Sequence, residues 1–395
     1  MRRRYVAYAV YLVAMLLPPV LHAQPHAQSR RAWPFWAAYQ QHFISPDGRV
    51  IDPSRASMTT SEGQSYALFF SLVANDSQEF ERIRQWTQDN LADGSLAQNL
   101  PAWSWGKNAR GGWGILDRNS AADADLWIAY SLLQAGRLWR NPAYTHTGKA
   151  LLAQIAQQEV ASVPGLGVVL MPGRTTLFSD HGRWILNESY SPLPLLLAAA
   201  SADAAGPWRQ MATDLPPWLQ QASPSGFAMN WVEWSMGKFT AVADPSVLRA
   251  ATAAGAAPAH GYGSYDAIRV YLWAGITDPR TPGAAKILSI FAPMARLLAQ
   301  GQRPPEIVSP GGAVLSPNSP VGFAAALMPF LLRSGDPAAA AAELHRVNAQ
   351  VDRSTGLLDA DPRYYDQNLA LFALGWKQNR FHFAADGRLR VPWSR

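Results

Sequence analysis

Between residues 33 and 376 two kinds of helical pattern alternate along the chain. In the first kind, apolar residues recur on one face while charge collects on the other. It covers 33–43 (WPFWAAYQQHF), 77–91 (SQEFERIRQWTQDNL), 145–160, 206–222, 283–300 and 336–350. In the second kind the apolar residues run nearly all the way round, as in a helix buried on every side. It covers 62–74 (EGQSYALFFSLVA), 122–139 (ADADLWIAYSLLQAGRLW), 191–202, 264–276, 320–333 and 365–376. Six buried helices alternating with six amphipathic ones predict one all-α domain, an (α/α)6 barrel in which an inner ring of six is wrapped by an outer ring of six. A helical solenoid would show similarity between its repeats, and the six pairs show none. Two stretches, 166–186 and 381–392, read instead as β-hairpins, the second turning at Asp386-Gly387.

With short connections the inner helices all run the same way, so their N-termini share one mouth of the barrel. Acids stand there: Glu62 in TTSEGQ, Asp123 and Asp125 in SAADAD, and Asp266 in GSYD. Each has an ordinary explanation, since Thr59-x-x-Glu62 and Ser120-x-x-Asp123 both fit a capping box and acids favour helix starts. Three acid-bearing helix starts on one rim are harder to explain that way, because clustered carboxylates repel unless function or counter-charge holds them. Paired carboxylates break glycosidic bonds, one donating a proton to the leaving oxygen and the other activating water or attacking. Burial and a neighbouring carboxylate such as Asp123 would keep the proton on Glu62. Arg269, three residues after Asp266, could hold that residue ionised and oriented as a base. Gly63 would let either a ligand or a neighbouring helix approach the backbone.

Composition narrows the field. The chain is 48% hydrophobic and 16% charged, which affords a large core and argues against general disorder. Part of the net charge of +6 is Arg2, Arg3 and Arg4, ahead of an apolar stretch that breaks at Gln24-Pro25. Residues 1–23 therefore read as a secretory signal peptide, cleaved after Ala23 or alternatively after Ala27. That leaves 24–395 as a single catalytic domain, periplasmic or secreted, with no membrane anchor. The small remaining charge gives no reason to expect a nucleic-acid partner. With no cysteine, thiol nucleophiles and Cys-based metal sites are excluded, and the eight scattered histidines lack HExxH spacing, so no metal is expected. Among 16 tryptophans, Trp103 and Trp105 (PAWSWG) and Trp113 (GGWG) fall in expected loops at the mouth, where flat rings could stack on sugar faces. Tyr190 in LNESY could line the same site. Trp127, Trp139, Trp273 and Trp376 are expected in the core, and Trp36, Trp86, Trp208 and Trp218 between the rings.

AADADLWIAYSLLQAGRLW at 121–139 resembles the signature of glycoside hydrolase family 8. TTSEGQSYALFF, PAWSWG, LDRNSAADADLW, VPGLG, GSYDAIRVYLWAG and SPVGFAAALMP resemble the members encoded with bacterial cellulose synthases. The likeness runs from about residue 33 to 376. It implies an (α/α)6 barrel and an inverting endo-β-1,4-glucanase acting on a β-1,4-glucan chain, associated with the cellulose synthase complex and needing no cofactor. Glu62 matches the family's general acid, Asp266 its general base and Asp123 the aspartate on the distorted sugar, with the two catalytic carboxyls roughly 6.5–9.5 Å apart. Two departures stand out: Ala122 replaces a Ser or Thr, and Val-Tyr-Leu-Trp follows Arg269 in place of Pro-Trp-Arg. Other readings are a glucan-binding protein of the export machinery without turnover, or a relative acting on xylan, chitosan or mixed-linkage glucan.

Overall fold

A computed structural model describes residues 33–243, 261–299 and 301–394. The expected signal peptide lies outside them. The inner helices are α2 (Ser61–Val73), α4 (Ala122–Leu138), α7 (Leu193–Ala202), α9 (Ile268–Ile276), α12 (Val321–Arg333) and α14 (Tyr364–Lys377). The outer ones are α1 (Pro34–Phe43), α3 (Ser77–Leu91), α5 (Pro142–Gln158), α8 (Trp208–Ala222), the pair α10 (Ala284–Ile290) and α11 (Ala292–Ala299), and α13 (Pro337–Ala349). A single turn, α6 (Thr175–Phe178), lies in a connection. The chain thus forms the expected (α/α)6 barrel, each outer helix preceding an inner one. The stretch 283–300 divides in two because Pro293, which has no N–H to donate, falls in the first turn of a second helix.

Aromatic rings fill the barrel axis. Phe372 lies 5.0 Å from Tyr66, 5.1 Å from Trp127 and 5.1 Å from Trp273, edge-on to the first and last. Trp127, Trp273 and Trp376 are core residues as expected, Trp139 is half-buried, and Trp36, Trp86, Trp208 and Trp218 are buried on outer helices. Among the described residues no helix is long and apolar enough to cross a membrane.

The β-structure departs from expectation. Residues 166–186 are not one hairpin. Gly167–Leu170 pairs back onto Val160–Val163, whereas Arg183–Leu186 joins a four-stranded antiparallel sheet with Ser179–Asp180, Trp231–Ser235 and Lys238–Val242. The closing hairpin forms between His382–Phe383 and Leu389–Arg390, with Gly387 at φ 81° in its turn. A further hairpin, Ser104–Lys107 with Trp113–Asp117, stands where loops were expected, and Thr59–Thr60 adds a third strand to it.

That third strand corrects the capping reading. Thr59 is still in the sheet, opposite Trp105, so the cap moves one residue on. Thr60 Oγ1 accepts the Gly63 N–H at 3.1 Å, while Thr59 Oγ1 donates to the Val50 carbonyl at 2.6 Å. Glu62 is therefore in the second helical position, and its carboxylate is not used as a cap. Thr60→Ala is expected to cost about 1 kcal/mol of stability. Urea unfolding measures it, and an unchanged midpoint would mean this cap contributes nothing. Gly63 has a packing explanation: a Cβ there would come within 2.3 Å of the Tyr364 hydroxyl.

Candidate active site

Three chain segments meet at Arg269. This side chain, 2% exposed, starts in the first turn of α9 and reaches the rim where α2 and α4 begin. Its Nη1 pairs with Glu62 Oε2 and lies 3.2 Å from Asp123 Oδ2; its Nη2 donates to Asp266 Oδ1 at 2.7 Å. Two further acceptors lie against its Nη atoms, Tyr66 Oη at 3.3 Å and Ser189 Oγ at 3.1 Å. The Tyr190 ring lies beneath the guanidinium, 5.5 Å from Cζ. Glu62, Asp123, Asp266, Arg269 and Tyr190 are thus brought together. Asp266 sits in the turn before α9 rather than within it, yet keeps its contact with Arg269.

Glu62 and Asp266 are held on different nitrogens of one planar fork. Their side chains are 22% and 25% exposed, whereas Asp123 is only 5% exposed. Burial raises the Glu62 carboxyl above the ordinary range; Arg269 pulls it down and Asp123 pushes it up, and burial prevails. Asp123 is raised for the same first reason, again against Arg269. Three carboxyls around one cation leave an excess of negative charge in a partly dry place, which favours a bound proton.

Glu62 and Asp266 open onto a cleft of about 400 Å³ whose walls include Arg55, Tyr265, Arg363 and Tyr365. An adjoining cavity of about 680 Å³ shares Tyr265 and Arg363 with it. Among the described residues there is no group of three or more His, Asp or Glu side chains able to hold a metal ion.

Trp105 and Trp113 are on strands, not loops, whereas Trp103 lies in the connection just before the first strand, as expected. Trp105 and Trp113 stack at 5.3 Å, with the Arg49 guanidinium 4.5 Å and 4.7 Å from their centroids, and Trp113 is half exposed. The Trp103 carbonyl accepts the N–H of Ser61 at 3.0 Å, tying this hairpin to the start of α2. Its ring faces Arg55. The Ser120–Asp123 capping box does not form: Ser120 Oγ donates to Glu159 at 2.5 Å, and Asp123 Oδ1 accepts the next N–H. Sequence reasoning missed Tyr66, Ser189 and the cleft tyrosines 265, 364 and 365. Tyr66 was within reach, four residues after Glu62 on the same helical face.

The sequence pattern of glycosyl hydrolases family 8 matches residues 11–379. An endoglucanase of Xanthomonas axonopodis pv. citri is 44% identical over 398 residues, covering 100% of this chain and 98% of that protein. An endoglucanase of Escherichia coli (strain K12) is 41% identical, covering 93% of each. The crystal structure of an endo-1,4-D-glucanase from Vibrio fischeri ES114 superposes with a TM-score of 0.82 at 37% identity, covering 92% of this chain and 100% of that one.

Proposed function

This chain belongs to glycosyl hydrolase family 8, and on that premise we propose that it is an inverting endo-1,4-β-glucanase. The supporting observation is the arrangement at Arg269, where one buried guanidinium holds Glu62 and Asp266 on separate nitrogens beside an open cleft. Glu62 protonates the glycosidic oxygen as the C1–O bond breaks. Asp266 takes a proton from the water that attacks C1 on the opposite face of the sugar. Burial, which keeps the Glu62 carboxyl protonated to higher pH, suits it to the first role. Asp123 carries the charge and hydrogen bonding beside the distorted sugar. The two adjoining cavities offer a trough in which a polymer could be bound along its length, as internal cleavage requires. Tyr190 and the hairpin tryptophans 103, 105 and 113 are proposed as glucan contacts. Residues 1–23 are proposed to direct export to the periplasm or beyond, where the enzyme would act on glucan made by a cellulose synthase complex.

The test is carboxymethylcellulose hydrolysis followed by viscosity and by reducing ends, with proton NMR of the fresh product. A fast viscosity loss with few reducing ends, and an α-anomer appearing first, are expected. A β-anomer first would overturn inversion. A wild type without turnover on this glucan would overturn the glucanase reading and direct the search to binding or to xylan and mixed-linkage glucan.

A further inference from the structure

Behind the candidate site two more acids are sealed into the fold. Asp125, in the first turn of α4, and Glu159, the residue that ends α5, are both 0% exposed. Residues two apart on a helix face different ways, so while Asp123 meets Arg269, Asp125 turns toward the outer ring. The carboxyls of Asp125 and Glu159 lie within hydrogen-bonding reach of each other. Among the described residues neither oxygen of Asp125, nor Oε2 of Glu159, finds a donor. Glu159 Oε1 takes the Ser120 hydroxyl at 2.5 Å. The other charges acting on the pair are Asp123, which adds to the repulsion, and Arg174, which is exposed. Two carboxylates are acceptors only, and they can hydrogen-bond to each other only with a proton between them.

We propose that Asp125 and Glu159 are positioning residues that keep a proton between them, and that this bridge, anchored to Ser120, locks the first turn of α4 so that Asp123 meets Arg269 and the substrate. The proposal rests on the reading of Asp123 given above. The surrounding backbone has the same connectivity: Ala122 N–H donates to the Pro172 carbonyl at 3.0 Å and Met171 N–H to the Glu159 carbonyl at 2.7 Å. One short segment therefore ties the end of the outer helix to the start of the inner one. The C-terminal end of α5 also disfavours charge on Glu159. Burial raises both carboxyls, Glu159 to about 7 and Asp125 well above its ordinary range. A pair so placed carries its proton at neutral pH, and it titrates as a unit.

The test compares Glu159→Gln with Glu159→Ala, and Asp125→Asn with Asp125→Ala, beside Asp123→Asn. An amide supplies a bridging N–H that cannot ionise, whereas alanine supplies none. The amide variants are expected to keep kcat within about threefold of wild type. The alanine variants should lose about tenfold or more in kcat at little change in KM. Thermal unfolding supplies a readout independent of catalysis. An acid whose folded pKa is raised stabilises the fold fully below its unfolded value near 4.3 and loses that contribution as pH rises through about 7. Wild-type Tm should therefore fall more steeply across that window than the Tm of Glu159→Gln. Glu188 and Asp366, also raised by burial, contribute equally to both proteins. Alanine variants with wild-type kcat, amide variants as impaired as alanine ones, an amide variant that does not fold, or identical Tm profiles would each overturn the proposal. If Asp123→Asn turns over normally, the reading of Asp123 fails instead, and the proton bridge is decided by the Tm profiles.

Discussion

Glu62→Gln is expected to lower kcat on carboxymethylcellulose by roughly 10²–10⁴, the usual span for removing a general acid. The amide keeps the size of the side chain and an acceptor for Arg269 Nη1, so the pairing that organises the rim survives. What is lost is the proton that the leaving oxygen needs. Asp266→Asn should lose as much for the complementary reason, since an amide cannot take a proton from the attacking water. KM should change little in either variant, because the cleft walls are unaltered. Circular dichroism and single-substrate kinetics check the pair together. A folded Glu62→Gln variant with wild-type kcat would remove Glu62 from the mechanism and return it to a structural role.

Arg269→Met is expected to be the most damaging single change to the site. The guanidinium is 2% exposed and is the ion-pair partner of all three carboxylates. Removing one partner of a buried pair leaves the other uncompensated, at a cost of about 3–5 kcal/mol. The carboxyls can relieve the cost by taking up protons, so the loss should grow as pH rises. Arg269 acts to lower the Glu62 and Asp123 pKa values, so without it both rise further. Any residual activity should then show its alkaline limb at higher pH than wild type. Arg269→Lys should recover part of the stability but not the activity, because a single ammonium cannot hold carboxylates on two separated nitrogens. Thermal unfolding at pH 5 and pH 8, with pH–rate profiles, decides this. Equal Tm losses at both pH values would mean that packing, and not charge, is what Arg269 supplies.

The alternating pattern of buried and amphipathic helices was legible because both periods come from neighbours along the chain. A residue such as Phe69, apolar among apolar residues, announces a helix buried on all sides. The acids at the starts of α2 and α4 and just before α9 were legible for the same reason, and so was the pairing of Asp266 with Arg269 three residues on. What the sequence determined by itself was therefore local: twelve helical segments, their order in two rings, and the acids at one end of them. Only the tertiary structure decided that Arg269 also reaches Glu62 and Asp123, that Thr60 rather than Thr59 caps α2, and that Arg183–Leu186 pairs with Trp231–Ser235. It also stacked Trp105 on Trp113 and brought Glu159 against Asp125. These contacts depend on how separate segments come together, across a hairpin turn for Trp105 and Trp113 and between different helices or strands for the others, and no periodicity within a segment records which charge, ring or strand will meet it there.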